Sequence, residues 1–176
     1  TQNPIEQEGT YPLPEAQLDR FLVQVDVPYP DRGTERDILI ATTGAAQDEA
    51  TGVFTAESLI AAQSVSRRMP VGEQVVEAIL DLVRACRPGE AEGRDLADLL
   101  SWGPGPRAAQ ALMLTVRAQA LLDGRLAPGV ADVAHLARSV LIHRMSLSFA
   151  ARARGDDLGS IIDRVAGRTL GLEAAA

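Results

Sequence analysis

Between Glu73 and Arg87 the apolar residues Val75, Ile79, Leu82 and Val83 fall at i, i+4, i+7 and i+8, one stripe down a helix. A stripe of that kind has to be covered, and most of the chain offers other helices to cover it. Pro106 suits the first turn of a long helix to about Asp123, with Ala111, Leu114, Ala118, Leu121 and Leu122 expected on one face and Gly124 placed as a C-terminal glycine. Asp31 can cap a helix to about Thr42 with Ile38 and Leu39 inward. Thr55 can cap another through Ser66, with Leu59, Ile60 and Ala62 inward. Pro128 to Met145 and Leu158 to Val165 read as further helices, and Asp156 and Asp157 as a helix start. Residues 88–105 read as a loop holding a short apolar piece, Leu96 to Trp102. Aromatic residues are only 3% of the chain, so Leu, Val, Ile and Ala must build the core, which favours helices packed closely through small side chains.

The first thirty residues differ. Thr1 to Pro14 carries Pro4, Gly9, Pro12 and Pro14 and reads as loop. Glu15 to Phe21 suits a helix of about two turns, and Phe21 to Val27 alternates apolar and polar residues after Leu22 in a strand-like way until Pro28 and Pro30 stop it. A lone strand has no partner for its backbone groups. The expected fold is therefore mostly α: a helical bundle over residues 31–176, preceded over residues 1–30 by a remnant (loop, short helix, one strand) of an α/β domain.

Charge and cysteine content narrow the function classes. Twenty-four acids against 17 bases give a net charge of −7, which argues against a nucleic-acid surface. Every base is Arg and none is Lys, a bias that a GC-rich genome explains without any chemical demand. Cys86 is the only cysteine, which excludes an intrachain disulfide and a cysteine-based metal site. No apolar run approaches the roughly 20 residues of a membrane span, and the N-terminus has no signal-peptide pattern. The expectation is a cytoplasmic protein with no membrane insertion. The opening at Thr1, without an initiator methionine, suggests a piece of something longer.

The run from Thr1 through Asn3-Pro4, Glu8-Gly9-Thr10-Tyr11-Pro12-Leu13-Pro14-Glu15-Ala16-Gln17-Leu18-Asp19-Arg20-Phe21 closely resembles the MoxR family of AAA+ ATPases. Looser likeness continues, in order, through Gly103 to Ala108, Leu121-Leu122-Asp123-Gly124-Arg125, Val140-Leu141-Ile142-His143-Arg144 and Leu147-Ser148-Phe149. The resemblance implies the end of an α/β ATPase core followed by an α-helical lid. It also implies a homo-oligomeric ring, usually hexameric, with ATP and Mg²⁺ held between subunits. The family is associated with assembly or maturation of client complexes, including metal-centre insertion, often beside a partner with a von Willebrand A domain.

The resemblance implies three site residues. Asn3 matches sensor 1, a neutral amide that can orient the attacking water near a γ-phosphate. Arg20 matches the arginine finger, whose guanidinium neutralises charge spreading over the phosphoryl oxygens of a neighbour's nucleotide; the bland reading is a pair with Asp19. Arg107 matches the lid's sensor 2, near a helix N-terminus where backbone amides and helix dipole also favour an anion. Pro104-Gly105 stands where the family usually has Ala-Ser, which changes the stiffness of the loop before that helix. Glu6, Glu8 and Glu15 read as solvated carboxylates, His143 as a packed or hydrogen-bonded histidine, and Cys86 as a buried small residue. No metal site is expected.

No glycine-rich loop ending in Lys-Ser/Thr occurs, and there is no Lys to supply one. No acidic Walker B strand end occurs either. The expectation is that this polypeptide alone neither hydrolyses ATP nor binds it well, and acts only within a longer chain and its ring. The competing expectation is a stand-alone, non-enzymatic helical interaction module that buries residues 1–27 against its own bundle.

Overall fold

The computed structural model describes residues 13–44 and 51–172. They form helices α1 (Glu15–Leu18), α2 (Arg32–Thr43), α3 (Ala56–Arg68), α4 (Glu73–Ala85), α5 (Pro106–Leu122), α6 (Val130–Leu141), α7 (Phe149–Arg154) and α8 (Leu158–Thr169), with strands β1 (Leu100–Trp102) and β2 (Ser146–Leu147). The described residues separate into two compact units: those up to Gln24 together with those from Ser66 onward, and those within Val25–Val65.

In the larger unit, α4 turns its stripe into the core with Val75, Ile79, Leu82 and Val83 buried as their spacing requires. Helix α6 lies against both α5 and α8, and α4 touches all three. The buried side of α5 is Ala108, Ala111, Leu112, Val116 and Ala120, a face turned from the one expected; Leu114 and Leu121 are half-buried and Leu122 is exposed. The alanines explain the choice, since three of them on one face let neighbouring helices approach closely. Residues 88–105 contain more order than their composition suggested. Leu100 pairs with Leu147 and Trp102 with Ser146 in an antiparallel ladder with a bulge, and Ser148 anchors the join through its N–H to the Leu99 carbonyl at 2.8 Å and its Oγ to that of Asp98 at 2.8 Å.

Caps are where the sequence placed them. Asp157 accepts from the Ser160 amide at 2.7 Å, and Asp31 from the amides of Gly33 at 2.8 Å and Thr34 at 3.0 Å. Asp132 takes the Gly129 amide at 2.7 Å and two bonds from Arg125, tying the loop after α5 to the start of α6. Gly124 has φ +70°, the left-handed value a C-terminal glycine supplies.

Two expectations are corrected. Residues 21–27 run without strand pairing, and Val25 and Val27 are exposed; alternation alone cannot make a strand when no other strand lies alongside. Helices α2 and α3 form where expected, yet neither has a buried residue. Ile38 is 48% and Leu39 61% exposed, and Leu59 and Ile60 are exposed likewise. Periodicity fixes which face of a helix is apolar and leaves open whether anything covers it. Among the described residues no helix is long and apolar enough to cross a membrane.

Candidate functional site

Helix α1 is a single turn with no buried residue, opened by Pro14 and stopped at Asp19. It cannot hold its own position, because one turn of helix gains too little to offset its ordering. The residues that follow it are held from outside. Arg144, in the 3₁₀ turn Ile142–Arg144 after α6, is 2% exposed and sends its guanidinium under residues 19–22. Its Nη1 donates to the carbonyls of Val140 and of Leu22, the latter at 3.2 Å. Its Nη2 donates to those of Phe21 and of Asp19, the latter at 3.3 Å. Its Nε faces Asp19 Oδ1 at 3.3 Å as an ion pair without the alignment of a hydrogen bond. Burial pulls the Arg144 guanidinium below its ordinary pKa, and the Asp19 carboxylate works against that pull.

His143 adds a second hold, its Nε2 lying 3.1 Å from the Phe21 carbonyl. A carbonyl only accepts, so Nε2 carries the hydrogen and Nδ1, which is buried and has no partner, stays bare. Desolvation pushes the His143 pKa below the usual histidine value, helped by the Arg144 charge and opposed by the Phe21 carbonyl and Asp19. The sign follows: as pH falls through about 6.5, the unfolded chain takes up a proton that the folded chain refuses, so stability drops. Thermal melts between pH 7.5 and 5.5 are therefore expected to fall more steeply for the native chain than for His143→Gln. Parallel slopes would remove this role from His143.

Above this clamp lies an open groove of about 310 Å³, lined by Asp19, Arg20, Leu22, Arg107, Gln110, Ala111, Leu114 and Arg144. Three guanidiniums and one carboxylate make its lining cationic, although the chain as a whole is acidic. The three are not equivalent. Arg144 is turned to Asp19 and to backbone carbonyls, both of its terminal nitrogens donating to carbonyls. Arg107, one residue inside the start of α5, is 53% exposed and meets Asp19 Oδ2 at 3.5 Å, a long contact of the kind worth little at a surface. Arg20 is exposed and pairs with no carboxylate among the described residues. Asp19 thus pairs with Arg107 and Arg144, and the pairing with its neighbour Arg20 that the sequence allowed is not formed. Arg20, and Arg107 by giving up its long contact to Asp19, are the exposed cations that can turn to an incoming anion.

The loop before α5 is firm despite Pro104-Gly105. Pro104 is buried and its carbonyl accepts from Arg87 Nε at 2.9 Å, while Gly105 is the extended residue before the helix. Asn3, Glu6 and Glu8 lie outside the described residues. Glu15 is exposed, and Cys86 is buried with its thiol pushed up to about 12 by desolvation, so it packs and does not react. No group of three or more His, Cys, Asp or Glu gathers among the described residues. The cationic lining of the groove suits phosphate oxygens. What the sequence reading left out was Asp19 and Arg144, whose pairing spans 125 positions; Arg144 carried no signal of its own beyond its place in the Val140-Leu141-Ile142-His143-Arg144 block.

Comparison with known proteins finds two family matches. Residues 1–23 match the family described as ATPase family associated with various cellular activities (AAA), and residues 95–165 match the AAA lid domain. Arg20 falls in the first match, Arg107 and Arg144 in the second. The chain is 36% identical over 166 residues to the chaperone MoxR1 of Mycobacterium tuberculosis, covering 94% of this chain and 44% of that protein. It is 31% identical over 185 residues to the protein MoxR of Paracoccus denitrificans, covering 98% and 55%. A crystal structure of a "putative ATPase" from Cytophaga hutchinsonii superposes with a TM-score of 0.87 at 29% identity, covering 96% of this chain and 51% of that one. The chain spans about half the length of the curated relatives it matches.

Proposed function

Given that this chain belongs to the MoxR-type AAA+ ATPases and corresponds to the C-terminal part of that architecture, we propose that it supplies the residues that sense and complete an ATP site whose gripping residues lie elsewhere in a longer protein. Residues 1–30 close the ATPase core and residues 31–176 form the lid. ATP is the substrate, bound with Mg²⁺ between neighbouring subunits of a homo-oligomeric ring, usually hexameric in this family. Asn3 orients the attacking water, Arg20 reaches the phosphates held by a neighbouring subunit, and Arg107 contacts nucleotide from the lid. Hydrolysis is coupled to remodelling, assembly or metal-centre maturation of a client complex, alongside a von Willebrand A domain partner. The 176-residue chain alone, with no Lys and no phosphate-cradling loop, neither binds ATP tightly nor hydrolyses it.

The observation that carries this reading is the groove at which Arg20, without a carboxylate partner among the described residues, and Arg107, with only a long contact to Asp19 at 3.5 Å, are exposed beside the buried Arg144. Phosphoryl transfer passes through a loose transition state with charge spread over oxygens, so what a protein supplies is positioned positive charge. An exposed guanidinium with a fixed backbone meets that requirement, and one locked in internal pairs does not.

The lid arm is tested with Arg107→Ala in the full-length protein. Losing one charge-assisted contact to phosphate is expected to weaken ATP binding on the order of tenfold, read by equilibrium titration with a fluorescent ATP analogue. Binding and turnover both equal to the native protein's would remove Arg107 from the site.

A further inference from the structure

Arg20 is held by its own backbone only locally, its amide donating to the Gln17 carbonyl at 3.1 Å. Its side chain is exposed, the helix before it buries nothing, and the Gln24 amide, two residues beyond Leu22, donates to the Ser139 carbonyl at 2.8 Å. A finger is useful only if its root is fixed, since a misplacement of about 1 Å at a phosphoryl-transfer site costs on the order of 10²-fold in rate. Arg144 takes the carbonyls of Asp19, Phe21 and Leu22, which lie on both sides of Arg20, together with the Asp19 carboxylate.

We propose that Arg144 is the positioning residue for Arg20: a buried guanidinium of the lid that clamps the backbone on either side of the finger and so makes the finger's placement depend on the lid's. The proposal rests on the reading of Arg20 as the finger. Arg144 touches no nucleotide in this arrangement, because its N–H groups are already turned to Asp19 and to carbonyls. Its action runs through the chain path of residues 19–22. His143 supports the same stretch from the next position. Lysine cannot replace it: a single ammonium opposite Asp19 can keep the charge pair but cannot reach carbonyls spread over residues 19–22 at once.

The test uses the full-length protein and compares Arg144→Met, Arg144→Lys, Arg20→Ala and the Arg20→Ala/Arg144→Met double variant. Arg144→Met is expected to lower kcat on the order of 10²-fold with KM for ATP unchanged, and Arg144→Lys to recover only part of it. In the Arg20→Ala background, Arg144→Met should cost nothing further, because the residue it positions is gone. Hydrogen exchange should show residues 20–24 losing protection in Arg144→Met and keeping it in Arg20→Ala. Multiplying losses in the double variant, or a fall in ATP affinity equal to the fall in kcat, would overturn the proposal while leaving the finger standing. Native turnover in Arg20→Ala alone would instead remove the finger. Should Arg144→Met fold poorly, Asp19→Asn removes the charge pair while keeping the side-chain shape and is expected to move kcat in the same direction; unchanged kcat there also overturns the clamp.

Discussion

Arg20→Ala in the full-length protein is expected to reduce ATP turnover by on the order of 10³-fold while leaving nucleotide affinity within a few-fold of native. The asymmetry comes from timing. The guanidinium is needed when charge spreads over the transferring phosphoryl oxygens, and an interaction made mainly in the transition state appears in kcat and not in binding. Arg20→Lys should recover part of the loss at most, because an ammonium keeps the charge but not the planar fork. The fold should not notice either change. Arg20 is exposed and pairs with no carboxylate among the described residues, and surface substitutions of that kind stay within roughly 0.5 kcal/mol. Unchanged melting with collapsed turnover is thus the expected signature, read by steady-state kinetics beside a thermal melt. Turnover equal to native would end the finger assignment.

How far the sequence reached can be judged element by element. Helix α4 was legible in full because its stripe is wide and its register unambiguous, and Asp31, Asp157 and Gly124 act as the caps their chemistry specifies. Helix α5 was legible as a helix but not in rotation: Ala and Leu recur on more than one side, so spacing pointed to the face of Leu114 where the structure buries that of Leu112. The β1–β2 pair was invisible since two- and three-residue strands carry no period to detect. Helix α7 was missed for the same reason, a six-residue turn announced only by Ser148 capping the Ala151 amide at 3.1 Å. At the site, Arg20 and Arg107 were legible through short motifs. Their shared groove was not, because it depends on Asp19, which meets Arg107 88 positions away and Arg144 125 positions away. Long-range pairing of this kind leaves no mark in local spacing.

The turn that carries α4 toward α5 yields the second large effect, one of stability. The end of α4 is enclosed by two glycines. A Cβ added at Gly93 would stand 2.1 Å from the Arg87 carbonyl oxygen and 2.9 Å from that of Ala85. One added at Gly103 would stand 2.7 Å from the Cys86 carbonyl oxygen and 2.9 Å from Pro88 Cδ. Gly93 has φ −104°, which any residue adopts, so the constraint is space and not backbone conformation. The obstructing atoms at Gly93 are main-chain atoms at the end of a helix and cannot rotate away. Gly93→Ala is therefore expected to destabilise at the top of the roughly 1–3 kcal/mol range of overpacking, a fall in Tm of about 6–12 °C for a domain of this size. Gly105 supplies the contrast: nothing lies within 4 Å of an added Cβ, and its backbone is extended. Gly105→Ala should leave Tm unchanged or raise it slightly, with a stability gain of up to about 0.4–1 kcal/mol through reduced freedom of the unfolded chain. Because Arg87 Nε holds the Pro104 carbonyl, displacing residues 85–88 should also shift the start of α5 and weaken nucleotide binding in Gly93→Ala through Arg107. Equal melting temperatures for Gly93→Ala and Gly105→Ala would show that the close approach of Gly93 to Arg87 does not hold the turn in place.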